Sequence, residues 1–413
     1  MIFKEVSPRM LSKGALVIVL SCVASFLFLE LLLRIFLPIN SFTVGTSNSS
    51  TAPNAKIYGW GEPPGGEIRQ IDPDTREAFS SRANSGGWKD VEHQFKKKNG
   101  SSRILILGDS QTFGMVPLKY IYPRVLEELL RDAGFNVEII SIGYGGWATD
   151  QALVALKRVG LSYEPDIVIS QFSTNDLIEN LALSGIEVLK PFRFRVMNGT
   201  LSMQVVQPES ASWLKIYLLK SHVLFYLNQA RWVLPERIHQ FMEKDKQKSG
   251  TAAIYASRHN PTGQYFVEHL SPRGDPGIEA AWLLYEKLIE EMKRSAEQKQ
   301  VVFLIFNANE KGELAWNKRW RRIVEDETGR DGIQWEGKFY PIYFYRHVDR
   351  LKAIADRIGA LMIPNKRSYT RFVNDGHANV EGNRRMAEDI FDFLITNEKT
   401  SRVLRKDQRQ NKG

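Results

Sequence analysis

Ile104-Leu105-Ile106-Leu107-Gly108-Asp109-Ser110-Gln111-Thr112-Phe113-Gly114 reads as a strand that stops abruptly at a turn. Four consecutive apolar residues without alternation fit a strand buried on both faces, as in a parallel sheet covered by helices. Ser110 then falls just past the carboxyl end of that strand, where open α/β sheets build their sites. A serine there is a candidate nucleophile, although Asp and Ser are also ordinary turn and helix-capping residues. Catalysis therefore depends on whether the rest of the chain supplies a base and oxyanion donors.

Outward from this stretch, strand and helix patterns alternate. Pro123 to Ala133 reads as a helix with Val125, Leu126, Leu129 and Leu130 on one side. Val137 to Ile142 is a second strand, followed by Gly143-Tyr144-Gly145-Gly146, and Thr149 to Val159 is helical. Asp166 to Ser170 is a third strand, leading into Thr174-Asn175-Asp176. The pattern lapses over 184–275, read as an inserted helical cap, with packing on the sheet's flank as the alternative. It returns with a helix from Glu279 to Glu297, a strand from Val301 to Phe306, a helix from Val348 to Ile358, a short strand at Ala360 to Ile363 and a last helix from Val380 to Ile395. Such a β-α-β series predicts a parallel sheet with helices on both faces.

The flanks read differently. Lys4, Arg9 and Lys13 precede an apolar run from Gly14 to Leu37, broken only by Glu30 and Arg34. A span needs about 20 residues, so residues 1–38 are expected to form a signal anchor. Glu30 and Arg34 lie four apart and share a helix face. Basic residues before the span place the N-terminus in the cytoplasm and the bulk of the chain outside the bacterial inner membrane, facing the periplasm. A cleaved signal peptide is the rival reading, but the apolar run continues well past the small residues near Ala24. Residues 39–83, rich in Ser, Thr, Asn, Gly and Pro at their start, are expected to be a juxtamembrane linker. Residues 84–396 form the expected catalytic domain. Residues 397–413 carry six Lys/Arg against two acids and are expected to be a basic, disordered tail.

Composition narrows the classes. The chain has 413 residues and a formal net charge of +9, but the basic residues come with no nucleic-acid motif, and no nucleic-acid partner is expected. Its single cysteine, Cys22, lies in the apolar segment, which excludes an intramolecular disulfide and a thiol or Cys–zinc site in the rest of the chain. No His-Glu-x-x-His, phosphate loop or Gly-x-Gly-x-x-Gly is present, and Ser110 lacks a Gly-x-Ser-x-Gly elbow. No metal or cofactor is called for.

What remains is a set of strand-end loops, each holding a usable group: Ser110, the glycines ending at Gly146, Asn175, and Asp375-Gly376-His377 before the last helix. A serine hydroxyl is weakly nucleophilic until an imidazole takes its proton, and a carboxylate holds that imidazole in one tautomer. The oxyanion formed on attack wants pre-aimed donors, for which the N–H groups of Ser110 and Gly146 and the Asn175 amide are candidates. The other histidines are His93, His222, His239, His259, His269 and His347. None sits in a loop with a nearby Asp ahead of the terminal helix.

In these blocks the chain resembles the SGNH hydrolases of the GDSL esterase and lipase superfamily, most of all the bacterial membrane-anchored members. Gly108-Asp109-Ser110 matches the nucleophile block, Ser141 to Gly146 the oxyanion-glycine block, Thr174-Asn175-Asp176 the Asn block, and Asp375-Gly376-His377 the block with the acid and base. Ser141 and Thr174 stand where Asn and Gly are common, and Asn374 holds the position three before the histidine where many members carry the acid.

The resemblance implies a flavodoxin-like three-layer α/β/α fold with a five-stranded parallel sheet. It implies catalytic Ser110, Asp375 and His377, and an oxyanion hole of Ser110, Gly146 and Asn175. The expected function is hydrolysis of acyl esters, O-acetyl groups of envelope or exopolysaccharide glycans first and lipid esters second. The alternatives are acyl transfer by the same site and a non-catalytic glycan-binding or assembly role. Trp316, Trp320 and Trp335 are candidate sugar-stacking surfaces.

Overall fold

A computed structural model describes residues 8–36, 52–181, 190–207, 221–224, 227, 276–309, 323–325, 331–335, 338–341, 345–373 and 375–410. The chain divides into two compact units, residues 1–47 with 211–246, and residues 48–210 with 247–413.

The smaller unit is built on helix α1, Pro8–Phe36. Its Gly14–Phe36 portion is 23 residues long and apolar enough to cross a membrane, by length and composition. Arg34 donates to Glu30 at 2.8 Å, one turn away. Glu30 also accepts from the Ser221 hydroxyl at 2.7 Å and from the backbone of His222 and Val223, so part of the 184–275 segment is bonded to α1.

The larger unit holds the sheet. Before it come the short helix α2 (Ala55–Tyr58) and an antiparallel hairpin of β1 (Glu67–Ile71) and β2 (Ala78–Arg82). The sheet is then built from β3 (Ser102–Gly108), β4 (Val137–Gly143) and β5 (Ile167–Phe172). After a second hairpin, β6 (Phe192–Met197) with β7 (Thr200–Val205), it continues with β8 (Val302–Asn307). A small antiparallel sheet of β9 (Ile323–Glu325), β10 (Asp331–Trp335) and β11 (Lys338–Pro341) precedes the last strand of the main sheet, β12 (Leu361–Ile363). The main sheet has five strands in the order β12-β8-β5-β3-β4, paired in parallel throughout. Counting only its own strands, this is the 2-1-3-4-5 order of flavodoxin-like folds, with a switch point beside the first strand, β3.

Every residue of β3 is buried, as the unbroken apolar run requires. Ile104 and Ile106 share a core with Leu126 and Leu130 of α4 (Tyr122–Asp132) and Met386, Ile390 and Leu394 of α9 (Val380–Thr396). The opposite face is covered by α5 (Thr149–Arg158) and α7 (Pro276–Glu297), whose Leu153, Leu156, Tyr285 and Leu288 are buried. Alternate side chains of each strand thus enter different layers, which is why no period of two appears in the sequence. Helix α8, Arg346–Ile358, ends at Gly359 in the left-handed conformation that favours glycine.

Three expectations about the flanks are corrected. Residues from 52 to 83, read as linker, are folded onto the domain, with Trp60 and Ile68 fully buried. Their polar composition hides the few large side chains that anchor them. The described start of the insertion is a β-hairpin, not helical. The tail residues Glu398–Gln410 form helix α10, held by the buried side chains of Thr400 and Leu404. Helices α3 (Ser110–Phe113) and α6 (Asp176–Glu179) are single turns at the ends of β3 and β5 and complete the set.

Candidate active site

The parallel register brings the site loops to one edge. Gly108 pairs with Gly143, so the Ser110 turn and the Gly143–Gly146 turn leave the sheet side by side. A side chain at Gly108 would collide with Gln171 Oε1 and Thr112 Oγ1, each 2.2 Å from its Cβ position. Glycine there lets the end of β5 bond directly to the Ser110 turn. Gln171 Oε1 accepts from Asp109 N at 3.0 Å and from the Thr112 hydroxyl at 2.9 Å.

Asp109 caps the Ser110 turn by accepting from Gln111 N at 2.8 Å. Its Oδ2 is buried and makes no hydrogen bond among the described residues. Burial raises the pKa of Asp109, opposed by its backbone bond and by the nearby His377. Asp176, buried on the neighbouring loop, is pushed well up by burial and then by the Asp109 charge. The Ser110 hydroxyl and its backbone N–H are unengaged among the described residues, and the residue is partly exposed.

The loop carrying the predicted base is tied to this turn by Gln111. Its side-chain nitrogen donates to Gly376 O at 3.4 Å, and its side-chain oxygen accepts from Ala378 N at 3.2 Å. The residue next to Ser110 thus grips the backbone on both sides of His377. Arg371 closes the loop from behind, donating to Gly376 O and, at 2.9 Å, to Ala308 O past the end of β8. Within it, Asp375 Oδ1 accepts from His377 N at 2.8 Å and contacts His377 Nδ1. That contact puts the proton on Nδ1, so that Nε2 is the unprotonated nitrogen of the neutral ring. Burial alone would lower the pKa of His377, but the charge and hydrogen bond of Asp375 outweigh it and the net shift is upward. Burial works against the ionised Asp375 as well, yet His377 holds its pKa below the ordinary carboxylate value. No hydrogen bond joins His377 to the Ser110 hydroxyl in this structure.

Gly146 has φ near +73°, a left-handed conformation that a side chain would strain. It is partly exposed, and its N–H has no acceptor among the described residues. Asn175 donates one amide hydrogen to Glu179 Oε2 at 2.7 Å, which orients the amide and leaves its second hydrogen for another acceptor.

The rival histidines that the structure describes are otherwise placed. His347 is fully buried, its Nε2 bonded to Asn309 O, and burial holds its pKa down at about 4. His93 lies between Asp90 and Glu138 at 3.0 and 2.7 Å. His222 belongs to the smaller unit. His239, His259 and His269 lie outside the described residues, as do Trp316 and Trp320. Among the described residues no group of three or more His, Cys, Asp or Glu side chains is gathered to hold a metal ion.

Reading along the chain missed Gln111, Gln171, Glu179, Arg371 and Trp60. Gln111 was visible only as a neighbour of Ser110, since its partners lie 265 and 267 positions away.

No family model matches the chain. Over 77 residues it is 30% identical to an arylesterase of Vibrio mimicus, a match covering 18% of this chain and 38% of the relative, so the chain matches well under half of that protein's length. Among solved structures it is similar to a G-D-S-L family lipolytic protein of Desulfitobacterium hafniense (10% identity, TM-score 0.33, 71% of this chain and 100% of the other). It is also similar to an arylesterase of Agrobacterium tumefaciens (14%, 0.33, 70% and 97%). A third is Axe2, an acetylxylan esterase from Geobacillus stearothermophilus (11%, 0.33, 72% and 95%). In its motif blocks and its strand order the chain is similar to the SGNH hydrolases of the GDSL esterase and lipase superfamily.

Proposed function

We propose that the chain is a membrane-anchored serine esterase that removes acyl groups, O-acetyl first, from glycans outside the inner membrane. The observation that carries this reading is the Gln111 grip. It joins the loop of the Asp375–His377 pair to the single turn that presents the unengaged Ser110 hydroxyl.

The reaction then runs as follows. His377 Nε2 takes the Ser110 proton as Oγ attacks the ester carbonyl. Asp375 holds Nδ1–H and favours the imidazolium that forms. The developing oxyanion is met by the N–H groups of Ser110 and Gly146 and by the second amide hydrogen of Asn175. One such donor is typically worth about 10²–10³ in rate. As the tetrahedral intermediate collapses, His377 returns the proton to the departing sugar oxygen. Water, activated by the same imidazole, releases the acetate. The glycan reading is supported by topology: with Lys4, Arg9 and Lys13 on the cytoplasmic side, α1 carries the site to the face of the membrane where envelope polysaccharides lie.

The test is turnover of p-nitrophenyl acetate, labelling by a fluorophosphonate, and acetate release from a panel of O-acetylated polysaccharides. Ser110→Ala is expected to lose the label and to lose turnover by about 10³-fold or more. Folded wild-type chain that neither turns over nor labels, or a Ser110→Ala variant that keeps the full cellular role, sinks the esterase reading in favour of a binding or assembly role. Acetyl label appearing on an added sugar acceptor instead of in water would make the chain a transferase.

A further inference from the structure

The Gly146 N–H cannot be aimed independently of the carbonyl that precedes it. Gly145 C=O and Gly146 N–H belong to one planar trans peptide and point in opposite directions. Whatever holds the Gly145 oxygen therefore sets the direction of the Gly146 N–H.

That oxygen is held by Trp60. The indole Nε1–H donates to Gly145 O at 2.9 Å, and Trp60 has no exposed surface. The grip is reciprocal, since Trp147 Nε1 donates to Trp60 O at 3.3 Å. The flanking residues follow the same path: the Tyr144 hydroxyl donates to Glu62 Oε1 at 2.6 Å, and Gln151 Nε2 donates to Tyr58 O at 2.7 Å. Tyr58 and Trp88 pack their rings on Trp147, 4.9 and 5.5 Å between centroids. Residues 58–62 thus run along the back of the 144–151 turn, bonded to it at four points. On the turn itself the Gly146 N–H has no acceptor among the described residues.

We infer that Trp60 is a positioning residue for the oxyanion hole: its indole fixes the Gly145–Gly146 peptide so that the Gly146 N–H faces the reacting carbonyl. This rests on the esterase reading and extends it to a segment that precedes all four motif blocks. It predicts a defect in the transition state rather than in substrate binding, because the oxyanion exists only there. A donor held in the wrong direction should cost about 10–10² in rate, less than its outright removal.

The test uses the full chain with position 60 as Trp60→Phe, and also as β-(3-benzothienyl)alanine. The second keeps the ring shape and replaces only the N–H by sulfur, so it remains informative if Trp60→Phe folds poorly. Expected are a kcat about 10–100-fold lower on p-nitrophenyl acetate, KM within about twofold and an unmoved acid limb of the pH–rate profile, since His377 is untouched. Trp88→Phe loses a similar ring volume from the same cluster but leaves all four bonds in place, and is expected to keep kcat within about threefold. Wild-type kcat in the benzothienyl protein overturns the inference, as does an equal loss in Trp88→Phe. Both results require active wild-type enzyme, so they are distinct from the failure of wild type to turn over or label, which overturns the esterase reading itself.

Discussion

Asp375 sits two positions before His377, and the spacing decides which of its bonds are made. A carboxylate so close in sequence reaches the imidazole Nδ1 and the histidine's own N–H with one oxygen. The same pair sets the pH dependence. The upward shift of His377 arises from Asp375 against the opposing effect of burial, with Asp109 adding to it. In its proposed role as a base His377 must be neutral, so kcat/KM should rise with pH through a limb above about 6.5, the ordinary histidine value. Asp375→Asn removes the charge that raises it. The limb should move to lower pH while the plateau rate falls by about 10²–10⁴ through loss of the orienting acceptor. A full pH–rate profile of both proteins checks this, and an unmoved limb would remove Asp375 from the role of orienting acid. Asn374, three before the histidine, lies outside the described residues.

At the scale of elements, the main strands announced themselves and the pieces that brace them did not. β3, β4, β5 and β8 fall within about two residues of where the apolar runs placed them, because strands buried on both faces must be apolar throughout. The 52–83 segment and α10 escaped notice for a shared reason. Each is anchored by one or two large side chains in a polar stretch, too few to make a period. Helix α10 offers a clean case. Leu404 is 1% exposed and lies in the core shared by β3 and α9, while most of the helix is charged. Leu404→Ala is expected to destabilise the fold by about 2–4 kcal/mol, as a truncated buried leucine does. The p-nitrophenyl ester kinetics should be unchanged below the melting transition. Denaturant unfolding against wild type measures it, and no loss of stability would mean that the tail does not pack in solution.

Across the whole molecule, a buried cluster of charges ties the segment from Asp90 to His93 to the sheet. His93 bridges Asp90 and Glu138, Arg103 bonds Glu138 at 2.6 Å, and Arg124 approaches Asp90 at 3.2 Å. Burial opposes both charges, yet the hydrogen bonds to Asp90 and Glu138 raise His93 to about 9. Those from His93 and Arg103 bring Glu138 down to about 2. The signs follow from linkage. His93, raised above its unfolded value of about 6.5, contributes in full below that pH and loses its contribution as pH rises through 9. Glu138, depressed, contributes in full above about 4.5 and loses it as pH falls towards 2. From this cluster, stability should be greatest between about 4.5 and 6.5 and decline on the alkaline side. His93→Gln should be less stable than wild type at pH 6 and show a smaller decline between pH 6.5 and 9. Thermal melts across that range test it, and parallel curves for the two proteins would show that His93 is not charged in the folded state.

The residues themselves carried the strand order's raw material, the long apolar helix and the four motif loops. Each is a local pattern: an apolar run, a charge before it, a short motif at a strand's end. Folding decided which loops meet and what holds them. Trp60 reaches Gly145 across 85 positions, and Gln111 reaches the residues around His377 across more than 260. Single hydrogen bonds between remote polar groups leave no periodicity in a chain, because their geometry comes into being only when the sheet brings its strand ends to a common edge.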